Sequence, residues 1–472
     1  MRIGRGPSIL LAASFGSFLQ VASPATVRAA EAAGENGHGQ TLPPLWLVGF
    51  FVVMLLCIAV FPLTRAHHWW ENNWNRLVVA VAVSAYPAYY YIRNDFHALQ
   101  ETMLHEYVPF IALLGSLFLI SGGIRLTGDL RATPMVNSLF LLTGTLLASF
   151  IGTTGASMLL IRALIETNRE RRYKVHTIIF FIFLVSNIGG CLLPIGDPPL
   201  FLGYLAGIPF FWTLNLWKLW LPTWIFVLAL YFLLDRHYLQ KEPERMREWD
   251  VEAVRPLRLQ GSINFLWLAG VVASVIFLNE NAAVPLFRVM YMREGAMALM
   301  VALSLVTTPR GLRAANRFTL APIGEVAALF LGIFTTVIPA LTLLNVRGGE
   351  LGVNTPFEFF WGTGILSSFL DNAPTYFVFF KTASGLVSSG AVEAVTLVGL
   401  GADRIPERFL TAISVGSVFL GAMTYIGNGP NFMVKAIAEE SGVKMPTFLG
   451  YMKWSAIVLL PVFAIMSWWF FL

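Results

Sequence analysis

Two aspartates stand inside strongly apolar sequence, where an ionised side chain is costly and marks a functional position. Asp371 lies in Leu370-Asp371-Asn372-Ala373-Pro374, and Asp197 lies in Ile195-Gly196-Asp197-Pro198-Pro199. A carboxylate in such surroundings is tolerable when a proton or a cation neutralises it. A carboxylate that binds one or the other, never both, couples the two fluxes. Asp371 is therefore read as cation ligand and proton carrier, with capping of the following half-helix as the alternative. Asp197 is read as a second cation ligand beside freed carbonyls, with the same capping alternative and a milder expected role, because its counterpart Asn428 is neutral. Thr153, Thr154, Asn187, Asn372, Thr424, Asn428 and Asn431 place neutral oxygens at the same breaks. Hard cations such as Na⁺ prefer oxygen ligands of this kind. These residues with the two aspartates are the expected cation- or substrate-binding set. The sodium is cargo, and no resident metal, cofactor or catalytic residue is expected.

The remaining candidates have plainer readings. An intramembrane aspartyl protease also needs two membrane aspartates, but Pro194 stands where its Gly-x-Gly-Asp signature requires the first glycine. The chain is read as a non-enzyme. Glu325 is read as a solvated or first-turn acid. His105 and Glu106 are read as interfacial, and His67, His68, Trp69 and Trp70 as an interfacial belt. Arg162 and Lys381, about three turns beyond their helix breaks, are expected to reach toward the interface. Cys57 and Cys191 show neither metal-ligand spacing nor a disulfide framework.

The elements that must position these residues are membrane helices. Hydrophobic residues make up 56% of the 472 and charged residues 12%, with mean hydropathy +0.68. The apolar blocks run to about 20 residues, the length that crosses a hydrocarbon core. Backbone satisfaction in lipid then requires helices. The expected fold is an all-α membrane protein of about ten transmembrane helices plus two re-entrant hairpins, in two inverted repeats. The hairpins fall at about 134–166 and 356–383. Residues 1–30, with Arg2 and Arg5 before the apolar run Ile9 to Ala22, read as a signal peptide or signal anchor. Residues 31–43 are a periplasmic linker, 44–235 the first half, 236–262 a cytoplasmic linker and 263–472 the second half.

Loop charge orients the scheme. The loops predicted cytoplasmic (64–76, 125–133, 162–174, 236–258, 307–317 and 434–446) hold 20 Lys and Arg, and those predicted periplasmic hold 7. That asymmetry fits the positive-inside rule only if each hairpin returns to its own side. The net charge of +5 is explained the same way, so no nucleic-acid partner is expected. Membrane lipid is the expected surrounding and a bacterial inner membrane the expected location.

The breaks repeat. Leu147-Ala148-Ser149-Phe150-Ile151 matches Leu366-Ser367-Ser368-Phe369-Leu370 at an offset of 219, and Ile195-Gly196-Asp197-Pro198 matches Ile426-Gly427-Asn428-Gly429 at 231. By the charge scheme one hairpin enters from each side, so the repeats are inverted. Paired helix breaks at matching positions of two halves point to a transporter site.

FIGTTGASMLLIRALI (150–165), SNIGGCLLPIGDPPLFL (186–202), FLDNAPTYFVFFKTA (369–383) and GAMTYIGNGPNFMVKAI (421–437) resemble the ion transporter superfamily. The resemblance is to the branch of NhaD-like sodium:proton antiporters and CitMHS-like citrate transporters, and LHEYVPFIALLGSLFLISGGI (104–124) also looks like that branch. It extends over nearly everything after residue 44. It implies a scaffold and a transport domain, often in a homodimer, and the matched inverted repeats favour alternating access. Dicarboxylate transporters of the superfamily carry Ser-Asn-Thr at both hairpin tips, whereas this chain has Gly152-Thr153-Thr154 and Asp371-Asn372-Ala373. Sodium:proton antiport is the leading expectation, with cation-coupled citrate or organic-anion transport as the alternative.

Overall fold

The computed structural model describes residues 42–252, 254–278, 291–388, 390, 396–399 and 404–472. The expected signal segment 1–30 and most of the linker 31–43 lie outside the described residues. The described chain is predominantly helical. In the first half the longer helices are α1 (Val48–Val60), α2 (Asn73–Asn94), α3 (Val108–Ser121), α4 (Pro134–Ile151), α5 (Thr153–Thr167), α6 (Val175–Leu184), α7 (Pro198–Leu205) and α8 (Trp217–Gln240). After the short helix α9 (Glu244–Glu252) come α10 (Ile263–Phe277), α11 (Met292–Thr307), α12 (Ala321–Arg347), α13 (Pro356–Phe369), α14 (Asn372–Ser388), α15 (Glu407–Leu420), α16 (Gly429–Glu440) and α17 (Phe448–Phe471). Among the described residues, five helical stretches are long and apolar enough to cross a membrane: Phe96–Ser121, Pro134–Ile151, Phe210–Gln240, Ala321–Arg347 and Phe448–Phe471.

Local sequence explains where the two hairpins begin and bend. Thr133 accepts from the Val136 N–H at 3.3 Å and Pro134 fills the first turn of α4, a start that needs no proline N–H. The helix stops at Gly152, whose φ of +79° a side chain would disfavour, and α5 starts at the next residue. Thr355 and Glu358 form a capping box at the start of α13, again with proline in the first turn. Leu370 ends α13 in extended backbone, and α14 starts at Asn372.

The all-α expectation needs one correction. Arg125–Asp129 (β1) pairs antiparallel with Arg255–Gln260 (β2), Arg125 opposite Gln260 and Asp129 opposite Arg255. A second pair joins Leu397–Val398 (β3) to Ile405–Pro406 (β4). β1 and β2 fall in 125–133 and 236–262, which are loop and linker by composition and charge. Each strand is too short to announce itself by alternation, and β1 and β2 lie about 130 residues apart, brought together as α3 packs against α10.

The core is helix on helix. The face of α6 from His176 to Leu184 is buried all round, and α12 packs against α1, α2 and α14. The basic loops gather at the strand end of the molecule. Ala132 N–H donates to Asp250 at 3.0 Å, Arg171 meets Asp235 at 2.6 Å, Arg317 meets Glu440 at 3.6 Å and Asn73 donates to the Ala321 carbonyl at 2.8 Å. Glu325, just beyond the first turn of α12, is not merely solvated: it pairs with Arg76 of α2 at 2.8 Å. The start of α13 lies instead beside the last turn of α17, with Phe360 against Phe471 and Trp361 donating to Ser467 at 3.2 Å.

Candidate functional site

The bends of the two hairpins and the two later breaks meet at one carboxylate. Asp197, in the break before α7, is 1% exposed. Its Oδ1 accepts from Thr153 Oγ1 at 3.0 Å and from Asn428 Nδ2 at 3.1 Å, and its Oδ2 accepts from Asn372 Nδ2 at 2.6 Å. Thr153 comes from the first hairpin bend, Asn372 from the second, and Asn428 from the break before α16. The capping alternative for Asp197 is not realised: its side chain makes no cap hydrogen bond to α7. Its bonds reach three other elements instead. Every donor is neutral, and no Lys or Arg bonds to it among the described residues. Asn372 Oδ1 is buried without a hydrogen-bond partner among the described residues.

A second layer holds the breaks in register. Asn187 Nδ2 donates to Ile182 O at 2.8 Å and to Asn431 Oδ1 at 2.7 Å, and Asn431 Nδ2 donates to the Gly421 and Thr424 carbonyls at 2.9 Å each. Asn428 Nδ2 also reaches Ser186 O at 3.1 Å. Thr424 Oγ1 donates to the Ser368 carbonyl and accepts from the Ile426 and Gly427 N–H groups at 3.2 Å each. Freed backbone groups at a helix break need partners of this kind. Asn187, Asn431 and Thr424 therefore serve the breaks, and Thr153, Asn372 and Asn428 surround the carboxylate.

Thr153 and Asn428 also line a cavity beside this cluster, and Asp371 and Thr154 face it without bonding to Asp197. Both of the latter are half-buried, and the cavity, of about 90 Å³, is closed from the other side by α3 and α12 with Leu117, Phe118, Val326 and Phe330. Asp371 Oδ1 accepts from the Ala373 N–H at 3.1 Å, so it caps the start of α14 while facing the cavity. The two readings of Asp371 are compatible rather than exclusive.

Sequence reasoning passed over Ser149 and Ser368. Ser149 Oγ donates to Gly189 O at 2.6 Å, and Ser368 Oγ donates to Leu420 O at 3.0 Å. The donors are 219 residues apart and the acceptors 231, the same offsets that relate the two halves. The signal was present in the aligned Leu-Ala-Ser-Phe and Leu-Ser-Ser-Phe segments.

Interrupted helices meeting around a buried carboxylate, within a chain of long apolar helices, are the construction of a membrane transporter. The family described as "Putative citrate transport" matches residues 39–471, and the chain belongs to that family. No curated protein matches the chain.

Proposed function

We propose that this protein is a cation-coupled secondary transporter, and specifically that it exchanges Na⁺ for H⁺ at Asp197 with Asp371 at the entrance. The observation that carries the reading is the company Asp197 keeps. A fully buried carboxylate surrounded only by neutral donors has no internal counter-charge, so a proton or a bound cation must supply it. Asn372 Oδ1, unpaired next to it, offers a further oxygen to a hard cation. Competition between Na⁺ and H⁺ for one carboxylate is sufficient coupling. The family contributes transport, and citrate as its described substrate, and the choice of sodium rests on the site's chemistry.

Matched serine bonds, matched breaks and hairpins that start at different ends of the molecule support two inverted repeats with both bends near mid-membrane. That architecture suits alternating access in a bacterial inner membrane, and a homodimer goes with it by resemblance. One observation favours organic-anion transport instead. The N-termini of α5, α7, α14 and α16 all begin at the central site, and helix N-termini attract anions. The deciding experiment is collapse of a pH gradient in everted vesicles on adding Na⁺, Li⁺, K⁺ or citrate. Sodium alone should collapse it. A response to citrate with none to sodium would reverse the order of the two readings.

A further inference from the structure

A second cavity, of about 390 Å³, lies at the strand end of the molecule, away from Asp197 and Asp371. Its walls are β1, β2 and the outer half of α5. Arg125 comes from β1, Arg255 from β2 and Arg162 from α5. Arg162 was expected simply to extend toward the interface. It is half-buried and lines this cavity at the loop end of α5. None of the three guanidinium groups forms an ion pair or a side-chain hydrogen bond among the described residues, whereas nearby Arg317 is paired with Glu440. Two acids share the wall, Asp129 and Glu166, and Glu166 is drawn toward Arg169 at 3.5 Å. The wall thus carries one net positive charge with both acids ionised.

Unpaired arginines converging from separate elements are suited to an oxyanion. The planar fork of guanidinium N–H groups matches carboxylate, sulfate and phosphate oxygens in pairs. The volume falls within the range of about 300–1,000 Å³ usual for small-molecule pockets. A singly charged ion such as chloride would engage one arginine. An anion with two or more charges can bridge the three.

We propose that this cavity binds a soluble, multiply charged oxyanion, a di- or tricarboxylate or a phosphate ester, between Arg162 of the first hairpin and Arg125 and Arg255 of the sheet. The site is independent of the ion carried at Asp197. Its occupant joins α5, whose first residue Thr153 donates to Asp197, to a sheet that is continuous with α3 and α10. Binding there consequently acts on the hairpin from outside the transport site.

The test is isothermal titration of the purified full-length protein in detergent with sodium sulfate, sodium citrate or sodium chloride at matched ionic strength. Sulfate stays dianionic across the working pH range. Saturable binding of sulfate and citrate, and none of chloride, is expected. Arg162→Gln and Arg125→Gln should each raise Kd about tenfold or more, as loss of a charge-assisted pair does. Arg255→Gln serves if either variant fails to fold. Arg169→Gln, at the exposed end of the same hairpin, should bind normally, and so should Asp197→Asn. Unchanged sulfate affinity in the arginine variants would overturn the proposal. So would loss of binding in Asp197→Asn alone, which would put the anion in the central site. Binding of phosphatidylglycerol vesicles with no binding of either soluble anion would also overturn it in favour of a lipid headgroup.

Discussion

At the scale of single residues, the two aspartates stand in different surroundings. Asp371 stood out because it occupies a hairpin bend. In the fold it faces a cavity and caps its own helix, while Asp197 receives the hydrogen bonds of three other elements. Asp197→Asn is therefore expected to bring Na⁺-dependent proton movement in proteoliposomes to background, and Asp371→Asn to reduce it less. The amide also offers one acceptor oxygen to three donors where the carboxylate offers two, so stability should fall by about 1–3 kcal/mol. Wild-type exchange in Asp197→Asn would remove the basis of the antiport reading. Outside the membrane helices, Asp129 of β1 has a separate titration. Burial, with Glu170, Glu166 and Asp250 nearby and only Arg255 opposing, pushes its pKa from 3.8 up to about 6. The folded chain thus holds this proton more tightly than the unfolded chain. The stability this contributes is complete below 3.8 and lost as pH rises through about 6. Thermal unfolding at pH 5 and pH 8 should show a smaller drop for Asp129→Asn than for wild type, and an equal drop would contradict the assignment. Protonation of Asp129 also removes a negative charge from the arginine cavity, so sulfate should bind more tightly at pH 5.5 than at pH 7.5.

At the scale of elements, the breaks are built by close backbone approach. A Cβ on Gly427 would lie 2.5 Å from the Gly421 carbonyl oxygen, and one on Gly196 would collide with the Gly190 carbonyl. These positions correspond at the 231-residue offset, so both breaks fold back on themselves in the same way. Neighbouring backbone cannot yield as a flexible side chain can. Gly427→Ala should destabilise the protein by about 1–3 kcal/mol, the usual range for overpacking. Gly429→Ala, whose Cβ would meet nothing within 4 Å, should be tolerated. Thermal unfolding of the two purified variants separates them, and equal stability would mean that the fold-back is not required. Gly and Pro are common in membrane helices, and the breaks themselves were legible because their clusters fall in two matched pairs. The bonds that close them were not, since Ser149 and Ser368 look like ordinary small helix residues until their acceptors arrive from 40 and 52 positions away.

At the scale of the whole molecule, charge and contact agree about which loops lie together. The basic loops share ion pairs and a two-stranded sheet at one end, and the last turn of α17 packs near the start of α13. In a background lacking Cys57 and Cys191, a cysteine replacing exposed Arg169 should react only with reagent on the cytoplasmic side, and one replacing Leu472 only with periplasmic reagent. Labelling of both from one side would break the inverted topology. Arg171 is unsuitable for this test because it is buried against Asp235 and Glu242, although it belongs to the densest basic run in the chain.

Composition, loop charge and the paired breaks were enough to determine a helical membrane chain whose helices are interrupted at matching positions of the sequence. Those properties follow from solvation, which acts on each segment separately: apolar blocks seek lipid, basic loops stay on one side, and broken backbone in the membrane must be enclosed. Family membership was legible for a related reason, because the break motifs are local strings. Tertiary structure alone decided that Asp197 gathers all four breaks, that Arg125, Arg162 and Arg255 face one cavity, and that two apparent loops pair as strands. Each of these depends on distances between segments far apart in the chain, and no local pattern of residues encodes such a distance.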